Sequence, residues 1–264
     1  MHKLRRLFFG CEVLAPWPLE YFTGRFILPA SRHLTLAFLG NVDFEALEKV
    51  LGGIPSLPFK VGPVGFFDKC LMLPPKDPRV VAWHARWLEE QKIGEYQKCL
   101  ADWLRSEGYS IDQREFLPHV SIARSPLDPV EWQKKFIPLP FIVSQIHLYE
   151  SVGNLVYTPI RTYPITAPFT EIDHTADVAF LVRAETLEQL HLHAYVALAF
   201  MFPEFLRYNN TLQLKTELED IVIALNRLVT LADSDGGCPL KAVSFHGDIK
   251  LEKGIYTWEM IVDV

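Results

Sequence analysis

The sequence predicts an α+β domain followed by a smaller α/β domain, and three observations carry that prediction. Short β-type runs mix irregularly with amphipathic helical stretches through the first two thirds of the chain, without strict strand-helix alternation. A proline series, Pro159, Pro164 and Pro168, follows a strand-rich stretch over 141–163 and interrupts further pairing. Two helical patterns with flanking strands come after it. The domains are accordingly placed at 1–166 and 167–264. A chain of 264 residues with 49% apolar content can bury one large core or two modest ones.

The strand expectations are 7–13, 33–39, 59–64, 79–83 and 119–123. The clearest helix runs over 95–107, where Tyr96, Cys99, Leu100, Trp103 and Leu104 recur at helical spacing and Gly108 closes the pattern. Beyond the boundary, Thr186 with Gln189 makes a capping box ahead of a helix reaching about 202. Leu218, Ile221, Val222, Leu225 and Leu228 mark a second helix. The run Asp233-Ser234-Asp235-Gly236-Gly237 lacks the later glutamate of a calcium loop and reads as a turn.

A net charge of −6 argues against a broad basic surface that coats nucleic acid, DNA included, while leaving room for a small basic pocket. Cys11, Cys70, Cys99 and Cys238 lie far apart with no paired metal spacing, which suits reduced thiols in a cytoplasm. The basic-then-apolar start resembles a leader peptide, but Glu12 interrupts the apolar stretch. No segment approaches the roughly 18 apolar residues of a membrane span, so no membrane partner is expected. His84, His147, His191 and His193 read as surface or core histidines; His191 and His193, two apart on a helix, face different sides and do not share a ligand.

One near-repeat concentrates the chemistry. His33-Leu34-Thr35-Leu36-Ala37 and His119-Val120-Ser121-Ile122-Ala123 share the order His, apolar, hydroxyl, apolar, Ala. On a strand, residues i and i+2 share a face, so each histidine and its hydroxyl look into one space while Leu34, Leu36, Val120 and Ile122 look into a core. Hydrolysis of a cyclic phosphodiester needs a base for the attacking water and an acid for the leaving oxygen. Histidine, with an unperturbed pKa near 6.5, serves in either role. Hydroxyl donors on Thr35 and Ser121 suit the non-bridging oxygens, and the chemistry requires no metal.

The full strings, 32–40 (Arg-His-Leu-Thr-Leu-Ala-Phe-Leu-Gly) and 118–124 (Pro-His-Val-Ser-Ile-Ala-Arg), resemble the paired motifs of the two-histidine phosphoesterase superfamily, in its RNA 2′,3′-cyclic phosphodiesterase branch. The likeness extends over roughly 5–165 and includes Arg6-Leu7-Phe8-Phe9 and Arg79-Val80-Val81-Ala82-Trp83. It implies a bilobal fold with antiparallel sheets lining a central cleft, and opening of RNA 2′,3′-cyclic phosphate ends to 2′-phosphates without a cofactor. By the same resemblance His33 is the proton donor, His119 the proton acceptor, and Thr35, Ser121 and Arg124 contact phosphate. Ser121 stands where threonine is usual, and 16–31 is shorter than the helix usual at that place.

After the boundary, Ile172-Asp173-His174-Thr175-Ala176-Asp177-Val178, the segment Lys241-Ala242-Val243-Ser244-Phe245-His246 and the ending Ile261-Val262-Asp263-Val264 resemble archease, an activator of the GTP-dependent RNA ligase in tRNA splicing and repair. The resemblance implies a divalent cation (Ca, Mg or Mn) held by Asp177, Asp263 and Val264, with Asp173, His174 and Lys241 nearby, and an RNA ligase as partner. Ala179 replaces a common glycine, and the stretch before Lys241 is short. The alternative from a different class is a non-catalytic protein that holds RNA ends or a ligase; an acid and base pair favours the enzyme.

Overall fold

The computed structural model describes residues 4–18, 23–89, 92–175 and 177–264. The first part comprises β1 (Leu4–Leu14), β2 (Arg25–Phe26), β3 (His33–Asp43), α1 (Phe44–Val50), β4 (Val64–Leu73), β5 (Val80–Trp87), α2 (Lys92–Ser106), β6 (His119–Arg124), α3 (Pro129–Lys134), β7 (Leu139–Gly153) and β8 (Val156–Pro164). All eight strands join one antiparallel sheet in the order β1-β3-β6-β5-β4-β7-β8, with β2 on β6. β7 also pairs with β1 and so closes the ring. The two expected lobes are therefore one barrel-like sheet. They meet where β3 and β6 share a single recorded pair, Leu34 with Val120.

Alternation in β1 explains the closure. Leu7, Phe9, Cys11 and Val13 are almost wholly buried in the interior cluster, so the strand must bend around that core. The expected strand at 59–64 does not form: Val61 makes one isolated bridge to Thr166, and β4 begins only at Val64. Pro63 cannot donate to a ladder, and a Cβ on Gly62 would meet the Val143 carbonyl oxygen at 1.9 Å. The expected strand at 79–83 runs on to Trp87, which adds His84 and Arg86 to it. In α2 the buried stripe is Ile93, Tyr96, Leu100, Ala101 and Leu104; Cys99 is exposed at its edge. Gly108 has φ +88, and the Tyr109 N–H donates to the Leu104 carbonyl beyond it, closing the helix in a left-handed turn. Among the described residues of 16–31 there is no α-helix, only β2 and a short turn at Pro29–Ser31; residues 19–22 lie outside the described set.

The chain then builds β9 (Phe169–Ile172), β10 (Val178–Ala184), α4 (Leu187–Met201), α5 (Leu218–Gly236), β11 (Ala242–Val243), β12 (Lys250–Glu252) and β13 (Ile255–Asp263). These strands form a second sheet ordered β11-β13-β10-β9, with β12 on β13. Thr186 caps α4 by accepting from the Gln189 N–H at 3.2 Å. The stretch 233–236 is the last turn of α5 rather than a free turn: Gly237, at φ +91, ends the helix and donates to the Asp233 carbonyl.

α4 is apolar nearly all round and buried from Leu190 to Ala199, the pattern of a helix covered on every side. It packs on β10 and also on β7 and β4. The second core accordingly includes Val64, Phe66 and Ile142 from the first sheet. At this junction His193 Nδ1 bonds the Arg183 carbonyl at 2.6 Å and its Nε2 bonds Glu89 at 2.9 Å. His191 is buried too, accepting from the Lys215 N–H at 2.9 Å. Both are core histidines, on different sides of α4.

Candidate active site

The pairing of Leu34 with Val120 decides the geometry. Both side chains are wholly buried. In an antiparallel ladder their neighbours then face each other across the strands, His33 with Ser121 and Thr35 with His119, all on the opposite face. The two motifs lie related by a local two-fold about that pair. All four residues are half-buried.

The two rings are anchored alike. His33 Nδ1 lies 2.8 Å from the Ser31 carbonyl and His119 Nδ1 lies 2.8 Å from the Leu117 carbonyl. A carbonyl only accepts, so each Nδ1 carries the proton and each Nε2 is left for chemistry. The hydroxyls of Thr35 and Ser121 have no hydrogen-bond partner among the described residues. Arg124 Nε is buried and likewise without one, which is costly unless a ligand supplies the acceptor.

A cleft of about 350 Å³ opens over β3, lined by Arg6, Phe8, His33, Thr35, Arg124 and Tyr157, with the β7–β8 hairpin at its rim. His119 and Ser121 lie beside it on β6. Phe8, Tyr149 and Tyr157 surround the His33 ring at centroid distances of 4.6, 5.3 and 4.6 Å. Burial in this cage lowers the His33 pKa to about 4; the Ser31 carbonyl opposes the shift, while His119 and Arg124 add to it. His33 and Arg124 line the same cleft, and the Leu34–Val120 register sets His119 one strand over, beside Thr35. Arg6, Phe8 and Tyr157 escaped the sequence reading because β1 and β8 deliver them through long-range pairing; the signal available was Arg6 and Phe8 sharing a face at i and i+2.

A titration follows from this cage. The folded value lies below the ordinary one near 6.5, so the unfolded chain takes up the proton first and the fold loses stability as pH falls from about 6.5 toward 4. NMR titration of the His33 ring should show one transition near pH 4, moving upward when inorganic phosphate is added. A midpoint near 6.5 without phosphate would mean a solvated ring and no cage effect.

No protein-family model matches the chain. An RNA 2′,3′-cyclic phosphodiesterase of Thermotoga maritima is 29% identical over 146 residues, covering 49% of this chain and 72% of that protein. A phosphoesterase crystal structure superposes with a TM-score of 0.50 at 25% identity, over 62% of this chain and 99% of that one. By these comparisons the chain is similar to phosphoesterases. LigT of E. coli, solved with 3′-AMP, aligns with a TM-score of 0.49 over the same shares, also at 25% identity.

In the second sheet, Val178 pairs with Val262, so one step further Asp177 stands opposite Asp263. The register so sets the two aspartates at neighbouring strand ends. Asp263 Oδ1 accepts from the Ser244 hydroxyl at 3.3 Å, and Lys241 Nζ donates to the Val264 carbonyl at 2.6 Å. His174 Nδ1 lies 3.9 Å from Asp177. Ala176 of that motif is outside the described residues. Among the described residues no group of three His, Cys, Asp or Glu side chains is placed to hold a metal, and the Lys241 ammonium already faces the carbonyl a cation would need.

Proposed function

We propose that the protein hydrolyses RNA 2′,3′-cyclic phosphate termini, with His33 and His119 as the acid and base. The observation that carries this reading is the Leu34–Val120 pair, which sets both histidines and both hydroxyls on one face beside the unpartnered Arg124 Nε. The relative from Thermotoga maritima bears the name of the same activity.

His119 Nε2 takes the proton of a water whose oxygen attacks phosphorus. The bond from phosphorus to the 3′ oxygen breaks, and His33 delivers its proton to that leaving oxygen, so the product is a 2′-phosphate. Thr35 and Ser121 donate to the non-bridging oxygens, and Arg124 balances their charge. Burial holds the His33 pKa near 4; the anionic phosphate raises it, so the ring takes up the proton it delivers as an acid when substrate binds.

We assign residues 1–166 to this phosphodiesterase domain and 167–264 to an archease-like domain serving a GTP-dependent RNA ligase on the same ends. Asp177, Asp263 and Val264 act there as a strand-end cluster balanced by Lys241. A cytoplasmic location agrees with four free cysteines.

The test is turnover of an oligonucleotide with a 2′,3′-cyclic phosphate end in the presence of a chelator. Chelator-resistant conversion to a 2′-phosphate is expected. Silence on every cyclic phosphate end would overturn the reading.

A further inference from the structure

The ladder that builds the candidate site does not stop at His119. On its other edge β6 pairs with β5, and His84 is the direct partner of His119; on the next edge Lys69 of β4 is the direct partner of His84. Direct partners in an antiparallel sheet share a face. Thr35, His119, His84 and Lys69 thus form one row across β3, β6, β5 and β4, on the face that carries the site. Strands lie about 4.8 Å apart, which sets His84 about 5 Å and Lys69 about 10 Å from His119 along the row.

A bulge between Phe67 and Lys69 interrupts the β4–β5 ladder, and Asp68 is the extra residue. Bulges re-aim side chains. Here the Asp68 carboxylate reaches His84, with Oδ1 2.6 Å from Nδ1, and the two side chains are 14% and 23% exposed. A carboxylate accepts, so Nδ1–H donates to it and Nε2 is the outward nitrogen. His33 and His119 are anchored on neutral carbonyls; His84 alone of the three rests on a carboxylate, which fixes the ring with Nε2 outward. Lys69 is exposed and forms no ion pair among the described residues. A metal at His84 is not supported, because no third ligand is near among those residues.

We propose that His84 and Lys69 form a second phosphate subsite, which receives the internucleotide phosphate preceding the cyclic end and makes the protein prefer an RNA strand to a mononucleotide. This rests on the cyclic phosphodiesterase reading above. The spacing from His119 is about one nucleotide along an extended strand, and Lys69 is a cation that no carboxylate engages among the described residues.

The test compares a 2′,3′-cyclic mononucleotide with a dinucleotide ending in the same ring, for the native protein, Lys69→Ala, His84→Ala and Asp68→Asn. The native protein should favour the dinucleotide through KM. In Lys69→Ala and His84→Ala the dinucleotide-to-mononucleotide ratio of kcat/KM should fall about tenfold, through KM rather than kcat. The salt dependence of the dinucleotide KM should weaken by about 0.7 in log-log slope for each lost contact. Lys69 is exposed, so its variant tests the subsite without risk to the fold. Turnover of both substrates with an unaltered ratio in every variant would overturn the subsite alone; silence of the native protein on both would overturn the catalytic reading and the subsite with it.

Discussion

His33→Ala and His119→Ala are each expected to cost about 10²- to 10⁴-fold in kcat on a cyclic phosphate end, the range that a positioned general acid or base contributes. The double variant should be little worse than either single one, because the two groups act in one proton transfer sequence and their losses do not add. Folding should survive both changes. The residues are half-buried and their backbone neighbours Leu34 and Val120 carry the packing. Steady-state kinetics beside circular dichroism reads both points. Variants that keep more than a tenth of native turnover would remove the acid-base roles and favour a protein that only holds the RNA end.

The two histidines were legible because their signal is local: a pattern of alternating faces written twice. What surrounds them was not. Phe8 and Tyr157 cage His33 from β1 and β8, and His84 reaches His119 only because β5 continues past Trp83. No short-range rule states which strands will be neighbours. The expected strand at 59–64 failed for a related reason, since β-type composition there is overruled by Gly62 and Pro63 and by the close approach of Val143. The Asp and Gly run at 233–237 read as a turn because its residues favour turns, whereas α5 extends through it and ends only at Gly237. The register sets Asp177 and Asp263 at neighbouring strand ends, but the ammonium of Lys241 on the Val264 carbonyl depends on side-chain placement that the motif does not encode.

His193→Ala should destabilise the chain by about 3–5 kcal/mol, the cost of leaving a buried charge without its partner. His193 is 1% exposed and Glu89 10%. Both ring nitrogens lie against acceptors, the Arg183 carbonyl and the Glu89 carboxylate. Glu89 is otherwise held by the Val64 N–H at 3.1 Å and the Gln189 amide at 2.7 Å, which ties the first sheet to α4. Burial pushes the Glu89 carboxyl up, yet the bond and charge of His193 with those two donors outweigh it and leave its pKa lowered. The sign follows: the pair stabilises the fold above the ordinary carboxylate range near 4.5, and that stability is lost as pH falls through the lower folded value. Urea unfolding at pH 7 should show the midpoint fall with the slope unchanged, and the acid limb of stability in the variant should move to higher pH. Replacing both partners by leucine should cost less than His193→Ala alone, because no charge is then stranded. A loss below about 1 kcal/mol in His193→Ala, the size of an exposed pair, would mean that water reaches the junction and that α4 is not locked to the barrel through Glu89.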